Sequence, residues 1–167
     1  MKVYLASDHG GFVLKEIIKK FLLEKGYDIE DCGAYTLTPA DDYPQFITSA
    51  AIKVCEQPNS FGIVLGGSGQ AEMMLANKFK GIRAALFYAP ALAVTSVDAS
   101  GRTSSDPFEI VKLSRLHNDA NILSLGGRFL TPDEATHAVE TFLITPFSGE
   151  ERHARRISEI TKIENNL

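Results

Sequence analysis

Four stretches of this chain combine side chains that do chemistry with glycines or turns that give a ligand room. The first is Ser7-Asp8-His9-Gly10-Gly11, a carboxylate beside an imidazole. Its glycines leave space near the start of the next helix, whose free N–H groups attract anions. Asp8 would serve equally well as a cap for that helix. The second is Leu65-Gly66-Gly67-Ser68-Gly69-Gln70-Ala71-Glu72. Glycines after an apolar run let the N–H groups of Gly67, Ser68, Gly69 and Gln70 converge into an anion-binding nest. Such a nest suits a phosphate or an oxyanion formed during reaction. It is neither a Walker loop nor a GxGxxG fingerprint, because the GK[ST] ending and the later acidic partner are missing. Glu72 falls in the first turn of the helix that follows. It is either a complement to the helix dipole, worth well under about 1 kcal/mol at an exposed site, or a general base aimed at the nest; spacing alone favours the former. The third stretch is Leu116-His117-Asn118-Asp119. A single histidine is more often structural than catalytic, but its near-neutral reference pKa qualifies it as an acid–base group. The fourth is the pair Arg152 and Arg156, whose i,i+4 spacing puts both guanidinium groups on one helix face. Two planar donor forks suit a phosphate; for an isolated basic run, a solvent-facing helix is the preferred reading, and Arg155 is offset and solvated. Arg128, after Gly126-Gly127, is a further anion-binding candidate, and Met73 and Met74 read as core packing.

These groups need a scaffold, and the hydrophobic pattern supplies one. Residues 2–6, 27–33, 61–67, 81–88 and 121–127 read as strands, the third apolar enough to be buried on both faces. Between them lie helical patterns. Phe12, Leu14, Ile17, Ile18, Phe21 and Leu22 recur at helical spacing until Gly26 stops them. Residues 43–57 form a second helix ended by Pro58, and residues 67–78 a Gly-rich turn followed by a helix. Thr131 and Pro132 open another as N-cap and first helical residue. A basic helix runs over about residues 150–163. Residues 34–42 read as a loop. Residues 96–107 read as an inserted loop between two helical pieces, long enough to carry a function of its own. Strand–helix alternation argues for βαβ units in one α/β domain spanning residues 1–167, a doubly wound, Rossmann-like parallel sheet with helices on both faces. In that architecture ligands bind beyond the carboxyl ends of the strands, near the switch in strand order.

Composition narrows the partners. Apolar residues make up 44% and charged residues 23% of the 167, so the chain can bury a core without disulfides or metal. The net charge is −4, against the basic balance usual for nucleic-acid binding. No apolar run approaches a membrane span, and the N-terminus reads as a strand, not a signal peptide. Cys32 and Cys55 match no zinc spacing and read as reduced thiols of a cytoplasmic protein.

In chain order, the opening strand with SDHGG, DYP at Asp42, Tyr43 and Pro44, GGSG with ANK and GIRAAL, then LHNDAN, GGR and RHARR resemble the RpiB/LacAB family of sugar-phosphate isomerases. Each motif is weak alone; the ordered set spans nearly the whole chain. The resemblance implies a five-stranded parallel sheet and a homodimer, sometimes a tetramer. It implies an enzyme that interconverts aldose and ketose phosphates, most often ribose 5-phosphate and ribulose 5-phosphate, with no metal or cofactor. It gives His9, Arg152 and Arg156, helped by Arg128, the substrate phosphate. Asp8 would hold sugar hydroxyls or the ring oxygen, Tyr43 would line the sugar pocket, and His117 with Asn118 would assist ring opening. Gly67, Ser68, Gly69 and Gln70 would hold the enediolate oxygen. The site would be composite: His117, Asn118 and the arginines from one subunit, Asp8 and the Gly-rich loop from the other.

One departure matters. Many members of that family carry a cysteine base where Gly66 stands. Another branch uses a glutamate on the following helix, and Glu72 occupies that position, so the resemblance makes Glu72 the base. The 96–107 insertion leaves a hexose 6-phosphate, allose or galactose 6-phosphate, as an alternative substrate. Loss of the cysteine leaves a non-catalytic sugar-phosphate-binding protein as another, and the missing phosphate-loop fingerprints disfavour a nucleotide-binding domain.

Overall fold

In the computed structural model, which describes residues 1–166, the alternating pattern resolves into five parallel strands. They are β1 (Lys2–Ser7), β2 (Asp28–Asp31), β3 (Phe61–Gly66), β4 (Ala84–Phe87) and β5 (Ile122–Gly126), in the order β2-β1-β3-β5-β4. Val3 pairs with Phe61 and Gly62 with Ile122, so the carboxyl ends of β1, β3 and β5 finish side by side. Between the strands run α1 (Phe12–Glu24), α2 (Tyr43–Glu56), α3 (Gln70–Ala76) and α4 (Glu109–Leu116); α5 (Pro132–Ile144) and α6 (Glu151–Asn166) follow β5.

Two apolar layers cover the sheet. Leu14, Ile18 and Leu22 of α1 pack with Val111 of α4 and with Ala135, Ala138, Val139 and Phe142 of α5 against one face. Ile47, Ala50, Ala51 and Val54 of α2 join Ala76 of α3 on the other. Burial on both faces explains why β3 and β5 read as continuous apolar runs. Thr131 caps α5 as expected, in a reciprocal capping box with Glu134 and with Pro132 in the first turn. The chain leaves β1 toward β2 and returns to the other side of β1 as β3, so the strand order reverses between the ends of β1 and β3. That is where a doubly wound sheet opens a crevice.

Three boundaries differ from the sequence reading. No helix precedes the insertion: residues 88–107 are irregular and only α4 forms. Pro90 biases Ala89 toward extended backbone, and the β-branched Val94 and Thr95 add little helix propensity. The loop is fastened instead by Arg102, which bridges Asp98 at 2.9 Å and Glu109 at 2.7 Å. β4 begins at Ala84, three residues later than Gly81, because the Asn77 side chain takes the Ala84 N–H and caps the strand's entry. The last helix continues to Asn166 rather than stopping near residue 163. Among the described residues no helix is long and apolar enough to cross a membrane.

Candidate active site

Glycine lets three chain turns touch at the carboxyl edge. A Cβ on Gly10 would stand 2.8 Å from the Gly67 amide nitrogen, and one on Gly127 would stand 2.9 Å from the Gly10 carbonyl oxygen. The loops after β1, β3 and β5 therefore meet backbone to backbone. Gly69 adopts φ +74, the left-handed region that favours glycine. Its carbonyl accepts a 2.7 Å hydrogen bond from the buried Ser124 hydroxyl of β5. Among the described residues the amides of Ser68 and Gly69 donate to nothing in the chain, so this part of the expected nest is unspent. The Gln70 amide makes only a long 3.4 Å contact with the Ser68 hydroxyl.

Glu72, in the first turn of α3, is 4% exposed. Its carboxyl group fills the volume that a side chain on Gly66 would take. A residue with a Cβ at position 66 and a glutamate in this rotamer exclude each other sterically. Burial raises the Glu72 pKa; its own backbone N–H opposes this, and the Asp8 charge reinforces it. At 4% exposure Glu72 is not the exposed complement to the helix dipole that spacing alone favours.

Asp8 is buried and accepts the Gly10 N–H at 2.8 Å; Gly11, without a side-chain cap, occupies the N-cap of α1. Asp8 therefore shapes the cleft and does not cap the helix. His9 is fixed by a residue that no sequence motif marks. Asp41 Oδ1 accepts both the His9 backbone N–H, at 2.8 Å, and His9 Nδ1, at 2.7 Å. Because a carboxylate only accepts, Nδ1 carries the proton and Nε2 faces outward. Asp8, His9 and Asp41 each bring a ligand-type atom within 4.8 Å of the others, but His9 and Asp41 already satisfy one another as a hydrogen-bonded pair. The one sequence signal for Asp41 is its place just before the DYP motif. Tyr43 opens α2 two residues on and packs partly against the α2–α3 core layer. The Arg128 guanidinium lies over Gly67, exposed and without an ion pair among the described residues. The structure thus brings Asp8, His9, Gly67, Ser68, Gly69, Gln70, Glu72 and Arg128 to one crevice.

The remaining candidates lie at the opposite edge of the sheet. His117 is the C-cap of α4, just before β5 begins. Gly126 ends that strand beside the crevice, about 16 Å away along its five residues. The turn that presents His117 and Asn118 is held by two arginines. Asp119 sits at φ +43 and accepts from Arg83 at 2.9 Å and Arg115 at 2.8 Å. Arg83 also grips the Asn118 carbonyl. His117 stacks on His153 of α6, rings 4.2 Å apart and 11° from parallel. His153 is 5% exposed and its Nε2 has no hydrogen-bond partner; it lies inside the RHARR motif, where only the arginines stand out as candidates. Burial lowers the His117 pKa, helped by His153 and Arg152 and opposed by Glu150 and Asp98. Arg156 is exposed beside His117, Asn118 and His153 in an open groove of about 730 Å³. Arg152 is half-buried against Glu150 at 2.9 Å. Arg155 is occupied within its own helix by Glu151 and Glu159, as its offset implied.

The sequence compares closely with characterised proteins. A family model described as Ribose/Galactose Isomerase matches residues 3–101 and 104–160, breaking inside the insertion. "Ribose-5-phosphate isomerase B" of Mycolicibacterium paratuberculosis is 40% identical over 164 residues, covering 98% of this chain and 92% of that one. The protein of the same name from Escherichia coli is 32% identical over 163 residues, covering 98% and 96%. Among solved structures, ribose-5-phosphate isomerase B of Mycoplasma genitalium with bound ribulose-5-phosphate superposes with a TM-score of 0.85 at 34% identity, covering 99% of this chain and 97% of that one.

Proposed function

The chain belongs to the ribose/galactose isomerase family, and from that premise we propose that it interconverts ribose 5-phosphate and ribulose 5-phosphate without a metal, with Glu72 as the base. The observation that carries the assignment of the base is the buried Glu72 carboxyl in the space above Gly66, at the end of β3 where the Gly-rich loop with its unspent Ser68 and Gly69 amides begins.

The chemistry follows from the geometry. Glu72 removes the C2 proton of the open-chain aldose. The C2–H electron pair forms the C1–C2 double bond, and the carbonyl pair moves onto O1. The Ser68 and Gly69 amides stabilise the enediolate oxygen, the step at which preorganised donors are worth most. The O2 proton passes to O1, with the Ser68 hydroxyl as carrier. Glu72 returns its proton to C1 on the same face, and C2 becomes the ketone. A carboxyl with a raised pKa is better matched to a weak carbon acid near neutrality; triosephosphate isomerase, an enzyme of another fold, uses a glutamate in the same type of step. Asp8 holds the sugar hydroxyls, Tyr43 borders the sugar, and His9 and Arg128 reach toward the phosphate.

Ring opening needs His117, held neutral by burial, and phosphate binding needs Arg152 and Arg156. These lie a strand's length from Glu72 within one chain. The separation supports a composite site in a dimer or a higher assembly of dimers, in which the amino-edge group of one copy covers the carboxyl-edge crevice of another. The test is formation of ribulose 5-phosphate from ribose 5-phosphate, with chelator present, by the parent and by Glu72→Gln. Turnover that collapses about 10²–10⁴-fold in the variant supports the base. Turnover that survives removes it, and a parent active only on hexose 6-phosphates removes the pentose.

A further inference from the structure

We propose that Asp41 is a positioning residue that makes His9 a charged phosphate donor. This rests on the reading above, in which His9 faces the phosphate. Asp41 is 8% exposed, and one oxygen takes both N–H groups that His9 can offer it. Its other oxygen, Oδ2, is buried with no hydrogen-bond partner. Among the described residues no lysine or arginine pairs with Asp41; His9 is its one possible cation. A buried carboxylate without a counter-charge is costly, and an imidazolium is the compensation within reach. The residue before it, Ala40, adopts φ +63, a left-handed conformation unusual for a residue with a side chain. Backbone held in this way beside a site is the usual mark of a side chain being aimed.

The consequence is directional. With Nδ1–H fixed on Asp41, Nε2 is the atom turned toward the ligand. It donates to a phosphate oxygen only when it also carries a proton, so the bound ring is an imidazolium between two anions. Such charge-assisted bonds are roughly twice as strong as neutral ones. Two carboxylates lie against the ring, Asp8, whose Oδ2 is 3.9 Å from Nδ1, and Asp41 from the loop before α2; Arg128, from the turn after β5, lies over Gly67.

Asp41→Asn separates charge from geometry, because its amide oxygen still accepts both bonds. The expected result is a KM for ribose 5-phosphate raised about tenfold near neutrality with kcat within about threefold of the parent. Calorimetry with inorganic phosphate, which needs no turnover, is expected to show the same weakening. In a His9→Ala background the substitution is expected to change nothing further. Near-UV circular dichroism checks that the variant folds. The proposal is overturned if Asp41→Asn binds phosphate like the parent at every pH, if kcat falls with KM unchanged, or if the parent binds no inorganic phosphate. A parent that binds phosphate but does not isomerise ribose 5-phosphate removes the substrate assignment while the phosphate shift still decides the role of Asp41.

Discussion

The carboxyl edge of the sheet and its amino edge are built in opposite ways. At the carboxyl edge, three glycine-rich turns press backbone on backbone, Glu72 fills the space over Gly66, and Ser124 pins the Gly-rich loop. At the amino edge, α6 stands away from the ends of α4 and β4 and leaves an open groove. Along that groove Arg156 has no ion pair among the described residues, and Ile160 and Ile163 are 48% and 61% exposed. The tight region would hold the proposed base and oxyanion in register with groups of one chain alone, the preorganised setting a developing charge requires. The open region has one arginine, Arg156, without an ion pair among the described residues, and apolar residues of α6 exposed along the groove. In the composite site proposed above, the fold itself would make the half that demands precision and leave the half that grips an anion to be completed by docking.

The sharpest way to break this comparison is complementation. Glu72→Gln disables the tight half and Arg156→Ala the open half, and each alone is expected to lose most activity, the former by about 10²–10⁴-fold. Co-expressed, the two are expected to recover activity, because a mixed dimer carries one site with both halves intact. Random mixing makes about half of the dimers mixed, so roughly a quarter of parent activity returns. No recovery, with mixed dimers confirmed by native mass spectrometry, would place both halves of a site on one chain.

His117→Ala is expected to lose roughly 10²-fold on the closed sugar, the low end of general acid–base assistance. The pH profile sharpens the assignment. Burial lowers the His117 pKa, so its neutral form persists to lower pH than an ordinary histidine's, and its loss would trim activity only on the acid side. Glu72 is expected to set the acid limb of kcat/KM above the usual glutamate value of 4.5, because burial raises its pKa. An acid limb unmoved in Glu72→Asp and shifted in His117→Asn would exchange the two roles. Gly66→Ala comes next in size. The added methyl overlaps the Glu72 carboxyl, with an overpacking cost of about 1–3 kcal/mol, read as a lower urea midpoint. Combining it with Glu72→Ala is expected to restore most of that stability.

The tight half is the more legible in sequence, for a physical reason. Backbone contact demands glycine, and glycine after a strand is a strong local signal, so Gly67, Gly69 and the turns after β1 and β5 are visible without coordinates. From the residues alone Glu72 is only a residue type in a first turn; the resemblance makes it a base, and its burial against Gly66, six positions away, appears only in the fold. Asp41 and His153 act through tertiary contacts with His9 and His117, from 32 and 36 residues away. No local pattern encodes a partner at that distance. The strands are legible because burial on both faces writes a continuous apolar run. The segment before the insertion misleads because apolar residues there imitate a helix that Pro90 prevents.

The smallest predicted effect also separates function from stability. Burial raises the folded-state Glu72 pKa above that of the unfolded chain. A group of this kind contributes stability that is complete below its unfolded pKa and is lost as pH rises through the folded value. Near neutrality Glu72 therefore works against folding, whereas glutamine fills the same space without a charge to bury. Glu72→Gln is expected to melt at a higher temperature than the parent at neutral pH, with the gap closing as pH falls below the ordinary carboxylate range. At the amino edge Arg156 is exposed and has no ion pair among the described residues, so Arg156→Ala is expected to shift the melting temperature little at any pH. A destabilised Glu72→Gln near neutrality would mean that the carboxylate has a stabilising partner in the fold and is not held there for chemistry at the expense of stability.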